Sequence, residues 1–291
     1  MEIWKIGGFC VYKKSLDILQ LFRALAAIMV VLYHATGDFS VKFNQSFING
    51  VFDQGFSGVD FFFILSGFII YYIHYVDIGD KTKFSLFISK RFVRIYPLHW
   101  IATTLMFVAF IFFGFGDGLV NSISTIISSY LLIPSQSYVN GVVWTLSHEI
   151  LFYLMFSLLI LFRRSVSYPI IIIWISITLL QYFGLVSFDS FLLEFIFSKY
   201  NIEFIGGSFI AYLVTNYQLN KRNLIFAFGL IFSLLSWYSL HAKIWQIDSV
   251  IAFGIPYSLI ILGGASIAYR KTTKVPNTLK LEYFSAAEPL S

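Results

Sequence analysis

Apolar residues run along this chain in long blocks separated by short polar segments. A window of about 20 residues, the length an α-helix needs to cross a bilayer, places spans near 16–34, 58–75, 98–115, 142–162, 168–186, 202–217, 224–240 and 250–269. The pattern predicts an all-α fold, a polytopic transmembrane helix bundle of about eight spans. Residues 120–133 are fewer and rich in Ser and Thr, so they are expected to lie at the interface or re-enter it.

The first span, LDILQLFRALAAIMVVLYH, breaks its apolar pattern at Arg23 and at His34. Eleven residues at about 100° each return to nearly the same helix face, with a rise of roughly 16 Å. Titratable groups are costly in hydrocarbon and face a bundle interior or a wet cavity. The stripe is therefore expected to wall a functional channel.

The polar segments sort by charge. With the N-terminus in the cytoplasm, the inside segments hold Lys5, Lys13, Lys14, the cluster from Lys81 to Arg94, Arg163, Arg164, Lys221, Arg222 and the residues from Arg270 to Lys280. Outside lie Lys42, Lys199 and Lys243. The positive-inside rule then puts both termini in the cytoplasm. On this topology His34, Asp60 and Glu149 come from three helices to one depth near the outer face, with Arg23 towards the inner end of its helix. The stretch FSLFISKRFVRIYPLHW begins inside as an amphipathic helix. Phe84, Phe87, Ile88, Phe92 and Ile95 form its greasy face, and Lys90, Arg91 and Arg94 its wet one. Pro97 is expected to open the third span.

Composition agrees with a polytopic membrane protein: 58% of residues are hydrophobic and 12% charged, and the mean hydropathy is +0.79. The formal charge of +5 does not mark a nucleic-acid partner, because the basic residues are distributed among loops. The single cysteine, Cys10, excludes an internal disulfide framework and reads as a cytoplasmic surface thiol. The start has an early acid and no small-residue cleavage site, so the first span is expected to remain as an anchor. There is no internal repeat and no separate soluble domain, which confines function to the membrane or its edge.

A histidine with carboxylates at hand can act as general base on a hydroxyl, one carboxylate fixing its tautomer. His34, Asp60 and Glu149 are therefore the candidate catalytic set. Arg91 and Arg94, with Lys90, stand on one helical face and can grip a phosphorylated ligand such as a nucleotide or coenzyme A; ordinary inside-positive bias and anionic lipid contact are the other reading. Ser147 and His148 are adjacent on a helix and do not form a working dyad, so Ser147 reads as a polar packing group, with Glu149 and Tyr153 as the inward stripe. His74, His99, His148 and His241 show no metal-ligand spacing and read as interfacial, and no metal is expected. No phosphate loop or dinucleotide fingerprint is present.

Together these residues resemble acyltransferase family 3. The Arg-His run from Leu16 to Gly37, GFSGVDFFFILSGFII, SLFISKRFVRIYPLHW and VVWTLSHEILFYL are similar to four of its motifs and stand in its order. IEFIGGSFIAYL and FGIPYSLIILGGA look like its later helices. The resemblance implies transfer of an acyl group, commonly acetyl from acetyl-CoA, to a hydroxyl of a cell-envelope sugar. It implies donor-binding roles for Arg23, Arg91 and Arg94 and catalytic roles for His34, Asp60 and Glu149. His99 departs from the aromatic residue often found before the tryptophan. The family usually continues beyond a basic loop into further helices, whereas LEYFSAAEPLS ends the chain here. Residues 1–291 are therefore expected to form one integral membrane acyltransferase domain lacking the last one or two family spans.

The expected mechanism is a transmembrane relay. Arg91 and Arg94 hold the phosphates of cytoplasmic acyl-CoA, and its pantetheine arm extends along the Arg23 face towards His34, which acts as base or briefly carries the acyl group. The acceptor is an envelope polysaccharide or lipid-linked glycan; O-antigen, capsule, exopolysaccharide and peptidoglycan stay open, as does acetyl against succinyl. The partners are then acyl-CoA, the glycan and membrane lipid, in a bacterial inner membrane. A transporter or flippase of an envelope glycan or lipid is the competing class, and an inactive truncated remnant the third.

Overall fold

The computed structural model describes residues 2–6, 9–13, 17–113, 122–244 and 247–273, with side chains between 17 and 269 in those ranges. The side chain of Cys10, the start of the loop after the third span, and the tail with Lys274, Lys280 and the final residues lie outside the described set.

A two-stranded antiparallel hairpin, β1 (Glu2–Ile6) and β2 (Phe9–Lys13), precedes the helices, with Ile6 opposite Phe9. It is an addition to the expected all-helical bundle. The helices follow as α1 (Asp17–Phe43), α2 (Gly58–His74), α3 (Phe84–Phe113), α4 (Ile123–Leu131), α5 (Val143–Leu161), α6 (Arg164–Tyr182), α7 (Phe191–Ile196), α8 (Tyr200–Asn216), α9 (Arg222–His241), α10 (Ser249–Ala252) and α11 (Gly254–Thr273). Among the described residues, 7 stretches are long and apolar enough to cross a membrane: those of α1, α2, α3, α5, α6, α9 and α10 with α11. The helix α8, of 17 residues, stands at the short end of spanning length. Each of the eight expected spans is thus a helix, and the residues expected to be interfacial or re-entrant supply the short α4.

Two boundaries differ from expectation. The helix α1 continues nine residues past His34, because Thr36 and Ser40 turn their hydroxyls onto the carbonyls of Leu32 and Gly37 in their own helix and so do not terminate it. The helix α3 is continuous from Phe84 through Pro97, so the amphipathic stretch and the third span are one element of 30 residues. Proline removes one backbone donor, a loss that membrane helices tolerate.

The chain divides into two compact units, residues 1–65 with 210–291 and residues 66–209. Helix packing in lipid lacks a hydrophobic drive and depends on close approach. In the first unit Gly55 and Gly58 supply it: a Cβ on Gly55 would stand 2.4 Å from the Met29 carbonyl oxygen, and one on Gly58 2.6 Å from that of Ala26. Phe22 of α1 meets Phe61 edge-on at 5.6 Å and stacks on Phe226 of α9 at 6.4 Å. Tyr257 of α11 meets Phe61 at 4.9 Å and shares a 2.8 Å hydrogen bond with Ser57.

In the second unit Gly67 of α2 lies against the backbone of α8, where a Cβ would fall 1.9 Å from the Phe204 oxygen, and Ser208 donates to the Gly67 carbonyl at 3.1 Å. Phe204 stacks on Phe152 of α5 at 4.5 Å. The last carbonyls of α4 are taken up by α3: His99 Nε2 donates to Ser129 O (2.7 Å), Trp100 Nε1 to Tyr130 O (3.0 Å) and Tyr96 Oη to Leu131 O (3.1 Å). A helix end leaves such acceptors without intrahelical partners, and here side chains of a neighbouring helix satisfy them.

Candidate active site

The second unit holds a continuous polar chain. Asp77, in a single helical turn just after α2, has Oδ2 at 2.7 Å from Nδ1 of His74, and Nε2 of His74 lies 2.7 Å from Nη2 of Arg91 in α3. A guanidinium only donates, so Nε2 accepts and carries no proton. The imidazole proton then sits on Nδ1 and is donated to Asp77. All three groups are buried, with exposures of 5% for Asp77, 4% for His74 and 7% for Arg91.

The Arg91 guanidinium also faces two rings, with its carbon 5.4 Å from the centre of Phe87 and 5.5 Å from that of Tyr153 in α5. Cation–π contacts of this kind strengthen when water is excluded, to about 2 kcal/mol. The hydroxyl of Tyr153 donates to Oε1 of Glu149, one turn back along α5. Three helices and the turn after α2 thus connect Asp77 to Glu149 through His74, Arg91 and Tyr153.

This geometry alters the reading of the arginine cluster. Arg91 is not on a wet face: it lies on the buried stripe Phe87, Arg91, Ile95, His99 and Thr103, because His74 and two rings replace the water it gives up. Arg94 and Lys90 are exposed, and so is Phe92, which the amphipathic pattern places on the greasy face. Glu149 is not held at the opposite end of its helix from the arginine motif, since its hydrogen-bond partner Tyr153 covers Arg91.

In the first unit, Arg23 is half-buried and His34 exposed, on one unbroken helix. Both lie about a quarter turn from the packed stripe of Leu19, Phe22 and Ala26. Asp60 is 2% exposed, in the first turn of α2. Successive contacts of Gly55 with Met29, Gly58 with Ala26 and Phe61 with Phe22 show α1 and α2 running antiparallel. Asp60 is therefore level with the turn of α1 near Ala26, about 12 Å along the axis from His34. The expected common depth of His34 and Asp60 does not hold, because α1 overruns His34 and α2 enters deeper before Asp60 is reached.

Three of the histidines read as interfacial are buried. His99 anchors α4, and His148 donates from Nδ1 to Trp144 O at 2.9 Å while its ring lies 4.1 Å from that of Phe195. His74 belongs to the polar chain and is the functional candidate that sequence reading missed. Its signal was the three-residue spacing to Asp77 at a helix end, together with the four-residue repeat that puts Arg91 in register with Phe87 and Ile95. Ser147 behaves as a packing group: it is buried, 3.2 Å from the Tyr138 hydroxyl and 3.3 Å from Val143 O.

At the start of α3, Asp80 caps a turn by accepting from the Thr82 hydroxyl (2.6 Å) and N–H (3.0 Å), contacts that hold its carboxyl below the usual value. The first unit also contains a polar cavity of about 610 Å³ lined in part by Thr215, Asn216, Gln218, Arg222 and Tyr269. Among the described residues, no three His, Cys, Asp or Glu side chains cluster closely enough to hold a metal ion.

The family model described as "Acyltransferase domain" matches residues 16–281. The exopolysaccharide production protein ExoZ of Rhizobium meliloti (strain 1021) is 34% identical over 127 residues, 41% of this chain. The match spans 39% of that relative's length. No solved structure matches.

Proposed function

The chain belongs to the acyltransferase family whose model spans residues 16–281, and on that premise we propose that it is an integral membrane O-acyltransferase acting on exopolysaccharide. The acyl group is acetyl, its donor is cytoplasmic acetyl-CoA, and the acceptor is a hydroxyl of the polysaccharide or of its lipid-linked precursor. The chain works in a bacterial inner membrane with its N-terminus in the cytoplasm. Similarity to a protein named for exopolysaccharide production supports the choice of acceptor.

The observation that carries the reading is His34: an imidazole inside an apolar helix of 27 residues, left exposed while His74, His99 and His148 are sunk into helix contacts. Such a group is open to a substrate hydroxyl. In the proposed reaction His34 removes the hydroxyl proton as the sugar oxygen attacks the thioester carbonyl. The C–S bond breaks, and the departing thiolate recovers the proton from the imidazolium. Arg23, Arg91 and Arg94 bind the anionic donor, and Glu149 holds Tyr153 over the Arg91 guanidinium.

Membrane vesicles given acyl-labelled CoA test the proposal. Label should pass to glycan with the native chain and with His241→Ala, and should fail to pass with His34→Ala. Glycan translocation without label transfer would sink it in favour of a transporter.

A further inference from the structure

We propose that His74 is a positioning residue for acyl transfer, its unprotonated Nε2, steered by Asp77, fixing the Arg91 guanidinium beneath Tyr153. The inference rests on the donor-binding role proposed for Arg91 and concerns what makes that role possible.

Arg91 is buried and, among the described residues, forms no ion pair with a carboxylate; Asp77 lies on the far side of an imidazole from it. Direct pairing with a carboxylate would occupy a guanidinium with two parallel hydrogen bonds. A neutral imidazole takes one. Nη2 is engaged with His74, while Nε is buried with no hydrogen-bond partner among the described residues. The arrangement compensates the charge at a distance and keeps donor capacity in reserve for an anionic oxygen such as a donor phosphate.

The direction of the relay is forced. With the other tautomer, Nε2–H would point at an N–H of Arg91 across 2.7 Å, donor against donor. Asp77 prevents this by accepting at Nδ1. Phe87 stands edge-on to His74 at 4.9 Å, and Tyr153 lies 6.4 Å beyond Phe87. Among the described residues, the charged and titratable groups around His74 include Asp77 beside it, Arg91 from α3 and, one ring further, Tyr153 with Glu149 from α5 and Arg94 acting on it. Each contact limits where the guanidinium can go, and Tyr153 carries its placement on to Glu149.

Substitutions at His74 separate positioning from mere filling of space. In His74→Gln the amide oxygen replaces Nε2 and still accepts from Arg91; His74→Asn reaches only towards Asp77, and His74→Phe keeps volume without an acceptor. In the full chain in nanodiscs, KM for acetyl-CoA should rise about tenfold in His74→Asn and His74→Phe, with kcat nearly unchanged, and recover in His74→Gln. Asp77→Leu, which removes the acceptor at Nδ1, should raise KM as His74→Phe does although it never touches Arg91.

Equal KM in all four variants, or His74→Gln as poor as His74→Phe, would overturn the inference. The tautomer is also readable without any variant, from the imidazole 15N shifts of His74 assigned through its contact with the Phe87 ring. An unprotonated Nε2 is expected, and a protonated one overturns the positioning. Failure of the native chain to bind acetyl-CoA would instead remove the donor role of Arg91, and with it the proposed function, whatever the tautomer.

Discussion

The first helix leaves its titratable side chains open, with His34 exposed and Arg23 half-buried, whereas the surroundings of Arg91 enclose an acid, an imidazole, a guanidinium and a phenol in successive contact. Both regions carry charge in helices suited to a membrane. One leaves its groups exposed or half-buried, and the other holds its groups against each other. Under the proposed reaction the difference sets a group assigned to chemistry apart from groups assigned to geometry, a distinction residue type alone does not make, since each region contains a histidine, an arginine and at least one carboxylate.

The sharpest break in that comparison comes from removing one member of each set. His34→Ala should lower the acylation rate by about 10²- to 10⁴-fold and leave unfolding within about 0.5 kcal/mol of the native chain, because an exposed side chain supports little. Activity and thermal unfolding of the same detergent-purified sample would show both. Asp77→Ala should do the reverse in kind, lowering stability by about 1–3 kcal/mol by leaving the buried Nδ1–H of His74 without its acceptor. If His34→Ala unfolds the protein, or Asp77→Ala leaves its melting point unmoved, the two regions are not the opposites described.

Smaller changes sharpen the contrast. Tyr153→Phe keeps the ring over Arg91 and removes the hydroxyl that donates to Glu149, so it should cost about 1.5 kcal/mol, read as a lower unfolding temperature. At the exposed edge of the second unit, Asp80→Ala tests a cap rather than a buried link. The Thr82 hydroxyl first, and the Thr82 N–H second, hold the Asp80 carboxyl below its ordinary 3.8. Its contribution is therefore present above that value and fades as pH falls through the lower folded-state value. The melting-point gap between native and Asp80→Ala protein should stay constant from about pH 8 to about pH 5 and close only in stronger acid.

Much of the fold is legible in the chain because membrane helices announce themselves as apolar blocks of fixed length. Every expected span is a helix, and α4 is as short as its Ser- and Thr-rich segment implied. The ends of α1 and α3 were not legible from mean polarity, because Thr36 and Ser40 satisfy themselves within α1 and Pro97 is carried inside α3. In the candidate site, the family motifs marked Arg91 and Glu149 but not their connection through Tyr153. Charge grouped Arg91 with Lys90 and Arg94, while the period of four groups it with Phe87 and Ile95. His74 carried no motif, and its meaning depends on a residue 17 positions away in the chain.

The four-residue stripe of α3 has a mechanical corollary. Four steps of about 100° overshoot a full turn by about 40°, so the stripe winds around its helix like a screw thread. Between Arg91 and His99 it advances about 80°, which lets the same row of side chains face α5 at one level and grip the end of α4 at another. Any rotation of α3 about its long axis would disengage both neighbours at once, so the guanidinium seat and the α4 anchor share a single phase.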